Sequence, residues 1–359
     1  MNNSNLLLLA GTSKGLVLYT RNRRWTLKSI HFKGLPVSMV YTDTRSGRWW
    51  VAIGHKHWGQ KLHYSDDRGA TWSAAATPKY PEGEEVHEGK PASLNYIWSI
   101  AAENSRVWVG TEPGGLFLSE DGGGSFYLNQ PLWTHPTRPD HWFGGGRDEA
   151  GIHSIVIDPR NDDHIYVGVS CGGVFETHNG GVSWETRNKG LKADFIPIHG
   201  SIAGHDPHMI RMFQKKPELL WQQNHCGIYK SEDGGANWKE ISGLDGFPNY
   251  GFVMAISQKD ENMAWVIPAV SDQMRIPLNE SLVVCRTDNG GQSWQEQRTG
   301  LPQKGCFDIV LRHSLDIWDE TLAFGTNNGN LFLSEDFGEN WTCLNNYLSA
   351  VFVVAFTST

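Results

Sequence analysis

Short apolar runs separated by glycine and polar turns recur along the whole chain. One stretch shows the pattern in Ile152–Asp158, His164–Val169 and Gly173–Glu176, three segments of four to seven residues rich in β-branched side chains. Runs of this length, bounded by turn residues, are typical of β-strands rather than helices. Each repeat therefore predicts two apolar strands, a third strand that begins with glycine, a polar turn, and an outer strand that starts at an aromatic residue.

The polar turn has a fixed spacing, Ser/Thr-x-Asp/Asn-x-Gly-x-x-Trp/Phe, which is clearest in Ser231–Trp238. Its hydroxyl and carboxylate or amide groups suit hydrogen bonds to the turn backbone, glycine suits a positive φ, and the aromatic residue suits packing beneath the turn. Because the copies are spread along the chain, they cannot converge on one substrate, and a structural role is predicted. The copies begin at Ser65, Ser119, Thr177, Ser231, Thr287 and Ser334, and a degenerate copy runs from Thr20 to Trp25.

The spacing of these turns predicts the fold class. Successive copies begin about 45 to 58 residues apart, a period typical of a four-stranded propeller blade. We expect an all-β, seven-bladed β-propeller that forms one domain over residues 1–359. The first blade lacks an inner strand, and Ser349–Phe356 is predicted to pair into it and close the ring, which removes exposed edges. The later blades are predicted to begin near Pro36, Asn95, Gly151, His208, Gly251 and Cys306.

The composition agrees with an all-β fold and argues against nucleic acid and anionic membranes as partners. The 359 residues carry a net charge of −8, with 16 Trp and 40 Gly, so there is no basic excess for nucleic acid or an anionic membrane. The apolar run Leu6–Ala10 is too short for a signal-peptide core or a membrane span. Five cysteines without paired metal spacing indicate free thiols, and a cytoplasmic location is expected.

The repeated turn resembles the BNR or Asp-box repeat, which occurs in sialidases, xyloglucan-acting glycoside hydrolases, sorting-receptor ectodomains and photosystem assembly factors. The runs Gly110–Phe117 and Gln222–Tyr229 look most similar to bacterial sialidase-like proteins. That resemblance implies a propeller that binds, and in some members hydrolyses, a glycoside. Sialidases place an Arg-Ile-Pro element ahead of their first box, whereas Met274–Pro277 lies between two boxes. The sialidase catalytic set is therefore not carried over to this chain.

Long connections between blades indicate where a binding site would lie. They span residues 77–94, 130–151 and 188–207, and an insertion covers residues 268–281. Long loops on a rigid scaffold commonly carry function, and a central funnel is the usual ligand site. Ten of the 15 histidines lie in the connections between blades, in loops between second and third strands, or at the entry of an inner strand: His55, His57, His87, His135, His141, His153, His199, His205, His208 and His225.

Carboxylates, arginines and tryptophans in the loops suggest glycoside chemistry. Two carboxylates can act as acid and as nucleophile or base, arginine can bind an anionic group, and tryptophan can stack on a sugar ring. The catalytic candidates are Glu112, Asp148, Glu149 and Asp206. The substrate-binding candidates are Arg147, Arg211, Arg275, His153, His208, His225 and Trp142.

Two further chemistries are open at this stage. A divalent metal ion could be held by His153, His205, His208 and His225, since imidazole suits zinc and similar ions, although no recognised ligand spacing is present. Cys171 and Cys226 both precede glycine, and either a tight turn or a thiolate nucleophile would explain them.

The leading hypothesis is a cytoplasmic, sialidase-like propeller that binds a polar or anionic small molecule, such as a glycoside, at a histidine-rich funnel, with hydrolysis of that ligand left open. One alternative is a non-catalytic scaffold that holds a protein partner on the loop face or the blade rims. A second alternative is a metal-dependent hydrolase or lyase. Neither nucleic acid nor membrane is an expected partner.

Overall fold

The computed structural model describes residues 6–55, 57–196, 202–242 and 249–358. The chain comprises two compact units, Met1–Thr42 with Ile241–Thr359, and Asp43–Glu240. Strands dominate both units. No helix in the described ranges is long and apolar enough to span a membrane.

Seven four-stranded sheets account for nearly all the strands. The first sheet contains β1 (Leu6–Thr12), β2 (Gly15–Asn22), β3 (Arg24–His31) and, from the other end of the chain, β30 (Val351–Ser358). The second contains β4 (Val37–Thr42), β5 (Trp49–His55), β6 (Gly59–Ser65) and β7 (Ser73–Ala74). A separate hairpin, β8 (Glu85–His87) and β9 (Lys90–Pro91), follows.

The next three sheets lie in Asp43–Glu240. The third contains β10 (Tyr96–Glu103), β11 (Arg106–Glu112), β12 (Leu116–Ser119) and β13 (Tyr127–Leu128). The fourth contains β14 (Ile152–Asp158), β15 (Asn161–Val169), β16 (Gly173–Thr177) and β17 (Glu185–Thr186). The fifth contains β18 (Pro207–Met212), β19 (Leu220–Asn224), β20 (Gly227–Ser231) and β21 (Lys239–Glu240).

The last two sheets lie in the other unit. The sixth contains β22 (Gly251–Ile256), β23 (Ala264–Pro268), β24 (Val284–Thr287) and β25 (Gln295–Gln297), and a 3₁₀ turn, Leu278–Glu280, precedes β24. The seventh contains β26 (Leu315–Trp318), β27 (Thr321–Gly325), β28 (Leu331–Ser334) and β29 (Thr342–Asn345). Two short helices, α1 (Gln130–Trp133) and α2 (Arg138–His141), lie in the long connection after β13.

The C-terminal strand completes the first sheet as the sequence predicts. β30 pairs antiparallel with β1, with Leu8 opposite Phe356 and Ala10 opposite Val354. The sheet order β3-β2-β1-β30 therefore joins the two ends of the chain in one blade. The predicted fold class, an all-β, seven-bladed propeller closed by this strand, is confirmed.

The repeated turn has the structural role that its composition predicts. In Ser231–Trp238 the Ser231 hydroxyl donates to Asp233 Oδ1 at 2.8 Å and accepts the Gly235 N–H at 2.8 Å. Gly235 has φ 79°, a conformation that glycine adopts without steric cost. The Trp238 indole N–H donates to the Arg187 carbonyl oxygen at 2.8 Å, which ties the turn to the preceding blade.

Apolar side chains from successive blades pack into shared cores. In one such core Trp108 from β11, Ile152 from β14, and Val167 and Phe175 from β15 and β16 are fully buried. The alternation of side chains along each strand directs one set toward the neighbouring blade on each side. This packing holds the ends of β11 and β14, which carry site residues, in fixed positions.

The start of the last blade differs from its predicted position. The sequence predicts an inner strand near Cys306, but β26 begins at Leu315. Asp308, Ile309 and Val310, which precede it, are buried without forming a strand, and side chains bond to part of this segment. The Ile309 N–H donates to Asn327 Oδ1 at 2.7 Å, and Asp308 accepts from the amide groups of Asn328 and Asn330 at 2.8 and 2.7 Å.

Candidate functional site

A cavity of about 410 Å³ lies within the Asp43–Glu240 unit, beside the β8–β9 hairpin, the end of β11 and helix α2. Its wall combines an indole ring, a guanidinium group and several carboxylates, which is the composition of a polar ligand site with an aromatic platform. We call it the Trp142 cavity. It is lined by Glu85, Val86, His87, Glu88, Pro113, Gly114, Arg138, Pro139, Trp142, Glu149 and Ala150.

Three of the four predicted catalytic carboxylates act on one ammonium group beside this cavity. Lys90 Nζ donates a hydrogen bond to Glu149, whose side chain is 10% exposed. This bond, with the charges of Glu149, Asp148 and Glu112, raises the pKa of Lys90. His87 Nε2 lies 3.8 Å from the same Glu149 oxygen. The structure therefore brings Glu112, Asp148 and Glu149 into one electrostatic neighbourhood.

Glu112, at the end of β11, is almost completely buried and forms an ion pair with Arg147. Burial raises the pKa of Glu112, although the charge and hydrogen bond of Arg147 oppose the rise. The Arg147 guanidinium also lies 4.8 Å from the Tyr96 ring centroid and 5.6 Å from that of Trp98. Arg147 is therefore fixed by a carboxylate and two aromatic rings.

His153 belongs to this aromatic group and lies outside the histidine cluster described below. Its ring packs edge-on against Trp98 with centroids 4.5 Å apart, and only 2% of the residue is exposed. A Cβ atom at Gly151 would lie 2.7 Å from Trp98 Nε1 and 3.1 Å from His153 Nε2. Glycine at this position therefore allows the two rings to approach the backbone.

Arg138 lines the Trp142 cavity but was not among the sequence-predicted residues. Its guanidinium carbon lies 3.4 Å from the centroid of the Trp133 ring, a cation–π contact. Burial lowers the pKa of Arg138, while the charges of Tyr80, Glu149 and Glu84 oppose the shift. Arg138 forms no ion pair with a carboxylate in the part of the chain that the structure describes.

The aromatic wall of the cavity is held by the loop that contains both short helices. The Trp142 indole N–H donates to Thr137 Oγ1 at 3.3 Å, and its ring packs against Phe175 with centroids 5.2 Å apart. Trp133 donates its indole N–H to Glu84. These contacts hold Trp142 and Trp133 in place within this loop.

A second polar cluster, the Asp206 cluster, comprises Asp206, His208 and His225. His208 Nε2 lies 3.1 Å and His225 Nδ1 lies 3.4 Å from Asp206 Oδ2. The other carboxylate oxygen accepts the Ser170 hydroxyl at 2.8 Å and the Cys171 N–H at 3.3 Å. Asp206 and His208 are 5% and 1% exposed.

The Asp206 cluster contains two of the four predicted metal-binding histidines. Within the described ranges, the potential ligand atoms of Asp206, His208 and His225 all lie within 4.8 Å of one another. His205 and His153 are not in this group. His205 forms an isolated bridge with Gly172, and its Nδ1 lies 3.4 Å from the Lys192 carbonyl oxygen. His199 lies outside the described residues.

The remaining substrate-binding candidates are not among the described residues that line the Trp142 cavity. Arg211 is on β18 opposite Trp221. Arg275 is in the other compact unit, where its Nε donates to the Asp272 carbonyl oxygen at 3.0 Å and its guanidinium lies 5.6 Å from the Phe252 ring. For the thiol hypothesis, burial raises the pKa of Cys226, which favours the protonated thiol over the thiolate nucleophile.

Comparison with known proteins agrees with the repeat pattern. The BNR/Asp-box repeat matches residues 63–74, which include the turn that begins at Ser65. An oligoxyloglucan-reducing end-specific xyloglucanase from Emericella nidulans is 30% identical over 124 residues, a segment that covers 34% of this chain and 14% of that protein. This chain therefore aligns with only a small part of that relative's length.

Solved structures share the fold at low sequence identity. A GH74 enzyme from Niastella koreensis has a TM-score of 0.59 at 14% identity and covers 95% of this chain and 55% of its own. YCF48 bound to D1 peptide has a TM-score of 0.52 at 15% identity and covers 86% of this chain and 83% of its own. With the seven four-stranded sheets, these likenesses show a β-propeller fold, and the chain carries a BNR/Asp-box repeat at residues 63–74.

Proposed function

We propose that the chain binds a polar glycoside in the Trp142 cavity and hydrolyses it. The observation that carries the proposal is that one cavity has an indole ring, an arginine without a carboxylate partner in the described residues, and a buried carboxylate in its wall. An indole suits the apolar face of a sugar ring, and arginine suits its hydroxyl or carboxylate oxygens. The similarity to xyloglucanases agrees with a sugar ligand.

The two carboxylates beside the cavity differ in the way that hydrolysis of a glycosidic bond requires. Burial raises the pKa of Glu112, which suits a proton donor to the leaving oxygen. Glu149 accepts a hydrogen bond from the Lys90 ammonium group and lines the cavity, which suits the second carboxylate, acting as nucleophile or base. Arg147 and Lys90 position the two groups.

Assays of the full chain with aryl glycosides and xyloglucan oligosaccharides test the hydrolysis, with release of reducing ends as the readout. We expect turnover by the wild type and a loss of at least about 100-fold in kcat for Glu112→Gln and for Glu149→Gln, since general acid or base catalysis contributes about 100- to 10,000-fold. Glu232→Gln is the matched control, because the Glu232 side chain is 72% exposed on a box turn. Full activity in both cavity variants would contradict the assignment.

A further inference from the structure

The Asp206 cluster joins three segments of the fifth blade at one point. Asp206 directly precedes β18, His208 lies on β18, and His225 lies in the turn between β19 and β20. The His225 N–H donates to the Asp206 carbonyl oxygen at 3.0 Å, which fixes this turn against the start of β18. The three side chains are therefore placed by paired strands rather than by a free loop.

We propose that Asp206, His208 and His225 bind one divalent transition-metal ion, with zinc as the best match. The ligand atoms would be Asp206 Oδ2, His208 Nε2 and His225 Nδ1. Two imidazole nitrogens and one carboxylate oxygen form a donor set that zinc and iron accept and that magnesium and calcium, which prefer oxygen ligands, do not. This site is separate from the Trp142 cavity and does not depend on glycoside binding.

The distances between these atoms match the spacing of ligands around a metal ion. Tetrahedral zinc with bonds of about 2.0 to 2.1 Å places neighbouring ligand atoms about 3.3 to 3.4 Å apart. The separations from Asp206 Oδ2 to His208 Nε2 and His225 Nδ1 are 3.1 and 3.4 Å. A separation of 3.4 Å is long for a hydrogen bond. Two of the three separations between ligand atoms are therefore already close to those around a zinc ion.

The surroundings orient Asp206 toward the two imidazoles. Ser170 Oγ and the Cys171 N–H donate to Oδ1 of the carboxylate, so Oδ2 faces the histidines. Metal-binding carboxylates commonly receive such hydrogen bonds, which fix their orientation. The backbone at Gly145 also approaches closely, since a Cβ atom there would lie 2.7 Å from Cys171 Sγ and 4.0 Å from Asp206 Oδ2.

One side chain of the cluster is accessible to solvent. The His225 side chain is 23% exposed, whereas those of Asp206 and His208 are 6% and 2% exposed. His225 therefore connects the buried part of the cluster with the surface. Among the described residues, three protein ligands match the number found in catalytic zinc sites, where water takes the fourth position.

Another group of histidines and a carboxylate, His164, Glu176 and His178, provides a contrast within the same unit. There Arg187 pairs with Glu176 and Asp158 accepts from His164. Burial opposes ionisation of Glu176, but hydrogen bonds from His164 and Tyr166 and the charge of Arg187 lower its pKa to about 2. An arginine already supplies positive charge at this carboxylate, so a metal ion would be repelled. This group serves as the internal control.

Zinc titration of the chelator-treated full chain by isothermal calorimetry tests the proposal, with bound metal counted by elemental analysis. We expect one ion per chain. His225→Ala should weaken zinc binding at least about 100-fold, and Ser170→Ala about 10-fold, because groups that orient ligands contribute about 10- to 100-fold in affinity. His178→Ala, at a residue whose side chain is 62% exposed, should leave affinity unchanged.

The variants keep the test decisive if substitution of the most buried ligands prevents folding. The His225→Ala and Ser170→Ala variants both keep the buried imidazole of His208. Circular dichroism verifies that these variants fold. Two results would overturn the proposal. One is a wild type that binds no stoichiometric zinc, and the other is a folded His225→Ala protein that binds zinc as tightly as the wild type. If only the His178→Ala variant lost zinc binding, the ion would belong to the group of His164, Glu176 and His178, and the proposal would also be wrong.

Discussion

Glu112 and Arg147 form an ion pair in which the carboxylate is 3% exposed and the guanidinium side chain is 44% exposed. Water therefore solvates the cation, while the anion depends on its partner. This asymmetry explains why burial dominates at Glu112 and raises its pKa despite the nearby positive charge.

The first prediction concerns pH. A carboxyl group whose folded pKa exceeds its unfolded value stabilises the fold below the unfolded value, and this contribution is lost as pH rises through the folded pKa. For Glu112 this contribution to stability begins to be lost near pH 4.5, the ordinary pKa of a glutamate side chain. Thermal melts of wild type and Glu112→Gln between pH 4 and 8 should show the stability of the wild type relative to the variant falling as pH rises. A constant difference would contradict this account.

The second prediction concerns the box turns in acid. The Thr71 hydroxyl and N–H and the Ser65 hydroxyl bond to the Asp67 carboxylate, and they lower its pKa from 3.8 to about 2. Bonds from Ser125 and Ser119 lower the pKa of Asp121 likewise to about 2. A depressed carboxyl pKa contributes stability above the unfolded value that is lost as pH falls through the folded value. Both turns should therefore lose stability between about pH 4 and pH 2.

Asparagine already occupies the same position in two other boxes and makes equivalent bonds. Asn179 Oδ1 accepts the Ser183 N–H at 3.0 Å, and its amide donates to the Ser183 hydroxyl at 2.9 Å. The double variant Asp67→Asn, Asp121→Asn should keep its neutral-pH melting temperature. It should also unfold at a lower pH than the wild type in an acid titration followed by tryptophan fluorescence. An unchanged acid midpoint would count against the assigned bonds.

The third prediction compares two glycines with positive φ. Gly190 has φ 94°, and a Cβ atom there would lie 2.1 Å from the Trp238 carbonyl oxygen, whereas Gly83 has φ 87° and nothing within 4 Å. Gly83→Ala should cost about 1 to 2 kcal/mol for the left-handed backbone alone. Gly190→Ala should cost about 1 to 3 kcal/mol more, because the added carbon overpacks against backbone. Urea denaturation of both variants measures the difference, and equal losses would refute the close approach.

Most of the fold could be predicted from the sequence because each repeat specifies its own turn. Ser231, Asp233 and Gly235 have local reasons for their identities, and the same hydrogen bonds recur in all six full copies. The last blade shows the limit of this reasoning. Its segment after Cys306 is apolar enough for a strand, but Asn327, Asn328 and Asn330 supply side-chain hydrogen bonds to it instead. The residues of the segment itself do not indicate that these asparagines will bond to it.

The candidate site was predictable only in part. Asp148 and Glu149 were identified in a long connection and Glu112 in a predicted loop, and the structure brings all three near Lys90. Arg138 was not predicted as a site residue, because only tertiary packing places it on the wall of the cavity. Its contact with Trp133 and its place on the cavity wall arise from two short helices that have no periodic signal in the sequence. Lys90 lies in the β8–β9 hairpin, which the sequence pattern did not predict either.

The fourth prediction concerns ligand recognition in the Trp142 cavity. Arg138→Met keeps an unbranched side chain that can pack on Trp133 and removes the guanidinium donors. It should weaken glycoside binding about 10-fold or more, since hydrogen bonds to charged groups contribute about 1.5 to 3 kcal/mol. Binding titrations with xyloglucan oligosaccharides and with a uronic-acid oligosaccharide measure the loss. A larger loss for the acidic sugar would identify a carboxylate as the group that Arg138 binds.

Calorimetric titration of a xyloglucan oligosaccharide into the wild type and Trp142→Ala is the decisive test of sugar binding in the Trp142 cavity. We expect saturable binding of one oligosaccharide per chain. Affinity should fall at least about 5-fold in the variant, because stacking of a ring on an aromatic face is worth about 1 kcal/mol or more. Trp58→Ala is the control, since Trp58 is 74% exposed and does not line the cavity. Equal affinity in wild type and Trp142→Ala, or no binding by the wild type to either neutral or acidic oligosaccharides, would contradict the claim.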